Sequence, residues 1–511
     1  MTGEIHNGRS VAGDLDLSTD VVIVGSGASG AVVAAELAEA GQKVVVLEEG
    51  GHHLPAAMGA MRPSESLRHV WRAGSMTAAI GIGDSPVINV MMGRAVGGSS
   101  LLTGGVCFRI PEHKLVHWST TLGLTELTPA KLEPYFDAVE RAIHVETVPE
   151  TARSRSTVLY EDGARKLGYR LTPLRRNTRG CEGRSKCNFV CPHQAKASVD
   201  LTYLPRAVAA GAEIYADCRV SRVVPHGGRA VGVSGRLLDA DGHKRGHLMV
   251  RARRVVLAAS AWYTPLLLWN SGIGRGSGVV GRNMTLHPSL RVIGEFDEEV
   301  RGWHGALQSA YSDAFLAERL TLVSAFVPTS ILAATMPGAG PAFMARADRI
   351  RHLGVFGGMI HDEGGGRLHR GLGREPWVTY RMARADRAAL SRLIRILADT
   401  WFAAGARRVY LPVFGLEGLD PSALATLNLD RIPASRIECT SQHPLGTCRM
   451  GTDRAHSVVN QDGETWDLPG LYIVDGSTFP TSLGVNPQLG IMAMAARAAL
   501  RMLDRPLPAA V

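Results

Sequence analysis

Three glycines at Gly25-x-Gly27-x-x-Gly30, with Glu48 placed 18 positions after the last of them, make the most readable chemical pattern in the chain. The spacing is that of a dinucleotide cradle. Gly25 permits a tight turn, Gly27 lets the backbone approach a pyrophosphate, and Gly30 lets a helix pack closely on a strand. At the start of that helix, around Ala28 and Ser29, unpaired N–H groups and a partial positive charge suit phosphate oxygens. The Glu48 carboxylate can accept from both ribose hydroxyls, which disfavours a 2′-phosphate. The motif by itself does not separate FAD from NAD. A second group is Cys181, Cys187 and Cys191, followed at once by Pro192. Thiolates so spaced in a loop can hold zinc or an iron–sulfur cluster. Only three thiols are present, with His193 the nearest fourth ligand, so structural free cysteines and no bound metal are expected.

These residues need elements to place them. Val21 to Val24 reads as a buried strand, Ala31 to Ala40 as an alanine-rich helix, and Lys43 to Glu48 as a second strand, which makes a βαβ unit. Residues 55–95 show no period and read as a long loop or lid. Residues 116–180 are more helical and charged. Residues 200–262 alternate the helix Tyr203 to Ala210 with strands, among them Cys218 to Val224 and Arg254 to Ala259. From about 284 to 430 the signals are mixed, including a strand Trp377 to Met382 and a helix Asp386 to Ala404. The strand Leu471 to Asp475 and the helix Gln488 to Leu503 close the pattern.

Composition bounds the remaining classes. The 511 residues carry 56 basic and 47 acidic side chains, a net charge of +9, with 45% apolar residues, which excludes wholesale disorder. Glycine is the exception: 58 of 511 exceeds the usual ~7% and points to backbone under constraint. The basic residues are scattered, so a solvated surface is expected and no nucleic-acid partner. No apolar run reaches the ~18–20 residues of a membrane span. The N-terminus is polar and lacks a signal-peptide pattern, so the cytoplasm is the expected compartment.

Three further segments resemble the glucose–methanol–choline (GMC) oxidoreductase family. The first is Gly93-Arg94-Ala95-Val96-Gly97-Gly98-Ser99-Ser100 with Gly104-Gly105 after it. The second is Ser260-Ala261-Trp262-Tyr263-Thr264-Pro265, running on to Gly272-Ile273-Gly274. The third is Gln442-His443-Pro444-Leu445-Gly446-Thr447-Cys448, then Val474-Asp475-Gly476-Ser477 and Gly484-Val485-Asn486-Pro487. The resemblance spans nearly the whole chain. It implies an α/β protein: a Rossmann-type FAD-binding domain built from discontinuous segments, plus an antiparallel-sheet, α+β substrate-binding domain. The expected segments are 18–110, 200–283 and 431–508 for the FAD domain and 284–430 for the substrate domain, with 111–199 a mixed connecting segment.

The resemblance also implies a cofactor site. FAD would be held by Gly25, Gly27, Ala28, Ser29, Gly30 and Glu48, by Arg94, Gly97, Gly98, Ser99, Ser100 and Thr103, by Val220 at the adenine, and by Asp475, Gly476, Asn486 and Pro487. Thr103 stands where the family commonly has asparagine. No histidine occurs between Gly97 and Gly105, where some relatives attach the flavin, so FAD is expected to be non-covalent.

His443 and Asn486 occupy the positions of the family's active-site pair, at the flavin N5 edge. Oxidising an alcohol removes a hydroxyl proton and a carbon-bound hydride. A histidine is the natural acceptor of the proton, and an asparagine amide can fix the substrate oxygen. The implied function is oxidation of a CH–OH group of an alcohol, sterol or sugar-type substrate, with His443 as base and oxygen or another acceptor taking the electrons. The cysteine segment also resembles one in family members that carry a three-iron cluster, although the same Cys-Pro ending occurs in cluster-free relatives. A dehydrogenase with such a cluster and a hydroxynitrile-lyase-like enzyme are the alternatives. Phe326, Phe343, Phe356, Met359 and Trp377 either fill the core or line a pocket, core being the expectation.

Overall fold

The computed structural model describes residues 2–274, 278–336, 340–371 and 375–504. Positions 505–508 of the expected last segment lie outside the described residues. Among those described, the strands form one eight-stranded sheet, one eleven-stranded sheet and a two-stranded pair.

The first sheet grows from the βαβ unit. Strand Leu15–Val24 lies parallel between Val44–Leu47 and Lys244–Leu257, and Leu471–Ile473 joins the end of the latter, also parallel. Ile5–Asn7 and Glu213–Ala216 extend it on one side, and Arg229–Leu238 and Cys218–His226 finish the other in antiparallel fashion. Val21, Val22 and Ile23 are fully buried. Such unbroken apolar runs are what a parallel strand covered on both faces requires. Helix Ala28–Glu39 lies against these strands and against helices Tyr203–Ala209 and Gln488–Met502. Its alanines leave room for that closeness. A β-carbon on Gly30 would sit 1.9 Å from the Gly25 carbonyl oxygen, so only glycine lets this helix start where it does.

The second sheet centres on Ser289–Glu295, antiparallel to Leu353–Ile360, with Leu320–Ser324 beyond. It is mainly antiparallel, with parallel pairing of Trp377–Tyr380 to Ala78–Gly81 and of Cys439–Ser441 to Ile88–Val90. Two short strands therefore stand where residues 55–95 read as a loop, together with helices Pro55–Ala60 and Pro63–His69. Three or four residues are too few to show an alternation, and although the two strands pair with each other, their other neighbours in the sheet lie about 300 positions or more away. Ala78–Gly81, Ile88–Val90 and Cys439–Ser441 thus belong to the second sheet although they fall within the 18–110 and 431–508 segments.

Helix Arg384–Ala403 packs on this sheet through Trp401, which donates its indole N–H to the Val292 carbonyl at 3.0 Å. β-Carbons at Gly294 and Gly354 would come within 2.8 and 2.7 Å of the Trp401 ring, so two strand glycines form its slot. Phe326, Phe356 and Met359 are buried in apolar clusters and Phe343 packs against one. Trp377 is exposed and stacks on His369. Among the described residues, no helix is long and apolar enough to cross a membrane.

Candidate active site

Between the strand ends of the first sheet and the second glycine cluster lies a cavity of about 470 Å³. Gly25, Gly27, Ala28, Ser29, Glu48, Gly98, Ser99, Val220, His443, Asp475, Gly476 and Pro487 line it. The two glycine clusters meet there: a β-carbon on Gly98 would fall 2.8 Å from Gly27 Cα, and Gly98 has φ of +54°. A side chain at either level would fill the cradle or push the two turns apart. Bare backbone at a helix start, facing a cavity of this size, fits a dinucleotide phosphate.

Two buried carboxylates frame the cradle. Glu48 Oε2 accepts from Ser26 N at 3.0 Å and Ser26 Oγ at 2.7 Å, and Oε1 accepts from Gly50 N at 2.8 Å. Three of its four acceptor positions are therefore engaged, leaving one for a ribose hydroxyl rather than the two expected. Burial pushes its carboxyl upward, opposed by those bonds. Asp475 accepts from Ser260 N at 2.9 Å, Thr264 Oγ1 at 2.5 Å and Ser477 N at 2.9 Å, and burial raises it too.

The remaining expected residues stand behind the cavity wall. Gly97, at φ +101°, donates its N–H to Ser26 Oγ at 3.1 Å. Ser100 Oγ donates to the Gly97 carbonyl at 2.7 Å, which closes that turn. Thr103 Oγ1 donates to Gln488 Oε1 at 2.9 Å, tying the second glycine cluster to helix Gln488–Met502. Gly30 packs helix on turn, and Arg94 Nε lies 3.8 Å from Glu49 Oε1. Glu49 also takes Arg72 Nη2 at 2.7 Å and Arg219 Nε at 2.9 Å on the cavity wall. Sequence reasoning passed over this cluster, since Glu49 carries no motif beyond its place beside Glu48.

His443 lines the cavity, and Asn486 Nδ2 lies 3.2 Å from its Nε2. The Asn486 Oδ1 atom is buried with no hydrogen-bond partner among the described residues. Burial pulls the His443 imidazole down to about 4, so the ring is uncharged at neutral pH. His443 Nδ1 faces His287 Nδ1 at 3.4 Å. His287 is fully buried, has φ of +47°, and is held far below the usual histidine range by burial and by His443, His361 and Lys114. Nothing in the sequence singled it out among 18 histidines.

All seven cysteines are free, and among the described residues the sulfurs of Cys181, Cys187 and Cys191 do not all lie within 4.8 Å of one another, the closeness a single ion would need. Arg176, fully buried, instead places Nη2 3.1 Å from Cys187 Sγ and Nη1 3.9 Å from Cys181 Sγ. Its Nε holds the Gly104 carbonyl at 2.8 Å, and buried Lys196 donates to the carbonyls of Leu101, Thr103 and Cys187. The segment thereby pins the back of the second glycine cluster.

Residues 19–289 match the N-terminal and 373–495 the C-terminal part of the GMC oxidoreductase family. A GMC-type oxidoreductase of Mycobacterium tuberculosis is 36% identical over 480 residues, covering 93% of this chain and 74% of that one. A long-chain-alcohol oxidase of Arabidopsis thaliana is 26% identical over 529 residues, covering 96% and 68%. Among solved structures, pyridoxine 4-oxidase from Mesorbium loti superposes with a TM-score of 0.73 at 20% identity, over 96% of this chain and 100% of that one. Matches that span both sheets and the segment carrying the His443–Asn486 pair leave one conclusion: the chain belongs to the GMC oxidoreductase family.

Proposed function

We propose that this protein is an FAD-dependent oxidoreductase that converts a CH–OH group of an alcohol, sterol or sugar-type substrate to a carbonyl and passes the electrons to oxygen or another acceptor. One observation carries the reading: His443 on the wall of a glycine-cradled cavity, with the Asn486 amide 3.2 Å from it. When bound, FAD supplies the acceptor for the carbon-bound hydride.

The chain's own residues supply the rest. Gly25, Gly27, Gly98 and the start of helix Ala28–Glu39 hold phosphate, Glu48 takes a ribose hydroxyl, and Asp475 fixes the turn around Ser260 and Ser477. His443 and Asn486 are assigned to the substrate oxygen, where negative charge develops as the hydroxyl proton leaves and is lost again as the hydride departs. Fixed donors act most strongly there because they need no reorganisation. A relative that oxidises long-chain alcohols and a structural neighbour that oxidises pyridoxine support an alcohol donor. The absence of histidine from residues 97–105 supports non-covalent FAD.

The test is to precipitate the purified yellow protein and weigh what is released, then to identify the product of a reduced substrate. Intact FAD in the supernatant and one carbonyl product per cofactor reduced are expected. Flavin retained on the polypeptide overturns non-covalent binding. A product at the oxidation level of the substrate overturns the oxidoreductase reading.

A further inference from the structure

Every nitrogen of the His287–His443 pair has a partner, and the pattern fixes where the protons sit. His287 Nε2 accepts the N–H groups of both Leu483 and Gly484, each at 3.1 Å. A ring nitrogen facing two donors carries no proton, so neutral His287 keeps its proton on Nδ1. Turning the ring over would set a C–H against both backbone N–H groups. His287 Nδ1–H meets His443 Nδ1 at 3.4 Å, which makes that nitrogen the acceptor. The proton of neutral His443 is then on Nε2, 3.2 Å from the Asn486 amide. Turning that amide end for end brings Oδ1 onto the Nε2–H and puts the NH₂ group in the buried place that Oδ1 held. This assignment satisfies every ring nitrogen of the pair. The converse would require His287 to lose both ring protons.

We propose that His287 is a positioning residue that fixes His443 in the Nε2–H tautomer, so that His443 meets the substrate oxygen as a hydrogen-bond donor. The inference rests on the alcohol-oxidising reading of the site and sharpens it. It replaces the base role that the sequence led us to expect of His443, because the lone pair on Nδ1 is capped by His287. As the hydride leaves the CH–OH carbon, the hydroxyl proton passes to water. His443 Nε2–H, shared between Asn486 Oδ1 and the substrate oxygen, stays on that oxygen as it becomes the carbonyl.

The surroundings of His287 hold this arrangement. The backbone N–H groups of Leu286 and His287 donate to Asp362 at 2.9 and 3.1 Å, and Tyr380 OH donates to the same carboxylate at 2.8 Å. His361 bonds Thr321 Oγ1 at 2.8 Å, and that hydroxyl donates to the Gly484 carbonyl at 3.0 Å. Asp362, His361, Lys114 and His443 are the titratable groups that face His287, and the three basic ones disfavour its protonation. A positive φ at a buried, non-glycine residue marks a position held by its neighbours.

The test reads the tautomer directly, in holoprotein labelled with 15N-histidine, by long-range proton–nitrogen correlation. The His443 signals are assigned by their loss in His443→Gln. In the wild type, Nε2 is expected to be the protonated nitrogen. His287→Asn keeps an amide N–H near the place of Nδ1, whereas His287→Gln keeps an acceptor near the place of Nε2. His443 is expected to stay Nε2–H in His287→Asn and to become a tautomer mixture in His287→Gln. Loss of one hydrogen bond should put kcat of His287→Gln about tenfold below that of His287→Asn, with KM less affected. A proton on His443 Nδ1 in the wild type overturns the inference, even if both variants fail to fold. So does a His287→Gln enzyme that outpaces His287→Asn, which would leave only a role in holding the backbone. The correlation needs no substrate. A protein with the Nε2–H tautomer whose flavin no alcohol reduces would refute the functional reading and leave the tautomer standing.

Discussion

Asn486 and His443, 43 residues apart in the chain, meet at 3.2 Å between Nδ2 and Nε2 at the edge of the glycine-cradled cavity. Neither side chain belongs to the groups that hold Gly27 against Gly98. Replacing His443 should therefore leave FAD bound, and replacing Asn486 should leave the phosphate cradle intact. For His443→Ala and Asn486→Ala, the rate of flavin reduction by substrate is expected to drop on the order of 10²–10³, the usual loss for one positioned donor. Rapid-mixing spectroscopy under anaerobic conditions checks this. Near-normal reduction in His443→Ala would remove that residue from the reaction.

The approach of the glycine turns gives a prediction of the opposite kind. Gly98→Ala sets a β-carbon 2.8 Å from Gly27 Cα at a φ of +54°, which alanine rarely adopts. The variant is expected to fold with native far-ultraviolet circular dichroism but to purify with little or no flavin. A Gly98→Ala protein as yellow as the wild type would show that the cradle lies elsewhere.

Acid sensitivity follows from the depressed His443 imidazole. His443 sits at about 4 when folded, below the ~6.5 of an exposed histidine. Between those values the unfolded chain binds a proton that the native one does not, so this group's contribution falls as pH drops from ~6.5 toward 4. His443→Gln abolishes that proton uptake. Its stability should fall less steeply with acid, by at most about 1.4 kcal/mol per pH unit across the window. Urea titrations of the holoproteins at several pH values check the sign, and parallel curves would contradict it.

The cysteines are expected to be metal-free. With Arg176 against Cys187 and Cys181, and no convergence of the three sulfurs, the purified protein should contain no stoichiometric iron or zinc. Its visible spectrum should be that of flavin alone. Elemental analysis decides, and three irons per chain would restore the cluster-bearing alternative.

The legible parts of this protein were those whose partners are close in sequence. The turn Gly25 to Gly30 and its flanking strands sit within one βαβ unit, so spacing alone places a cradle there. Glu48 was visible as an acid at a strand end. That Ser26 and Gly50 occupy most of its carboxylate was not, because it depends on how the turn closes. Strands Ala78–Gly81 and Ile88–Val90 escaped notice because each is short and is completed by remote partners. His443 and Asn486 were found through resemblance, since no periodicity links them. His287 gave no signal, because its partners, Leu483, Gly484 and His443, all lie more than 150 residues away.

The central claim is that this site moves a hydride from a CH–OH carbon to bound flavin. Its most direct test is to mix the purified protein, without oxygen, with a panel of long-chain alcohols, sterols and sugars while following the oxidised-flavin absorbance. At least one class should bleach the flavin, and admitting oxygen or a quinone or dye should restore it. A flavin that no member of the panel bleaches, or one that stays oxidised while a cyanohydrin is cleaved, would contradict the account.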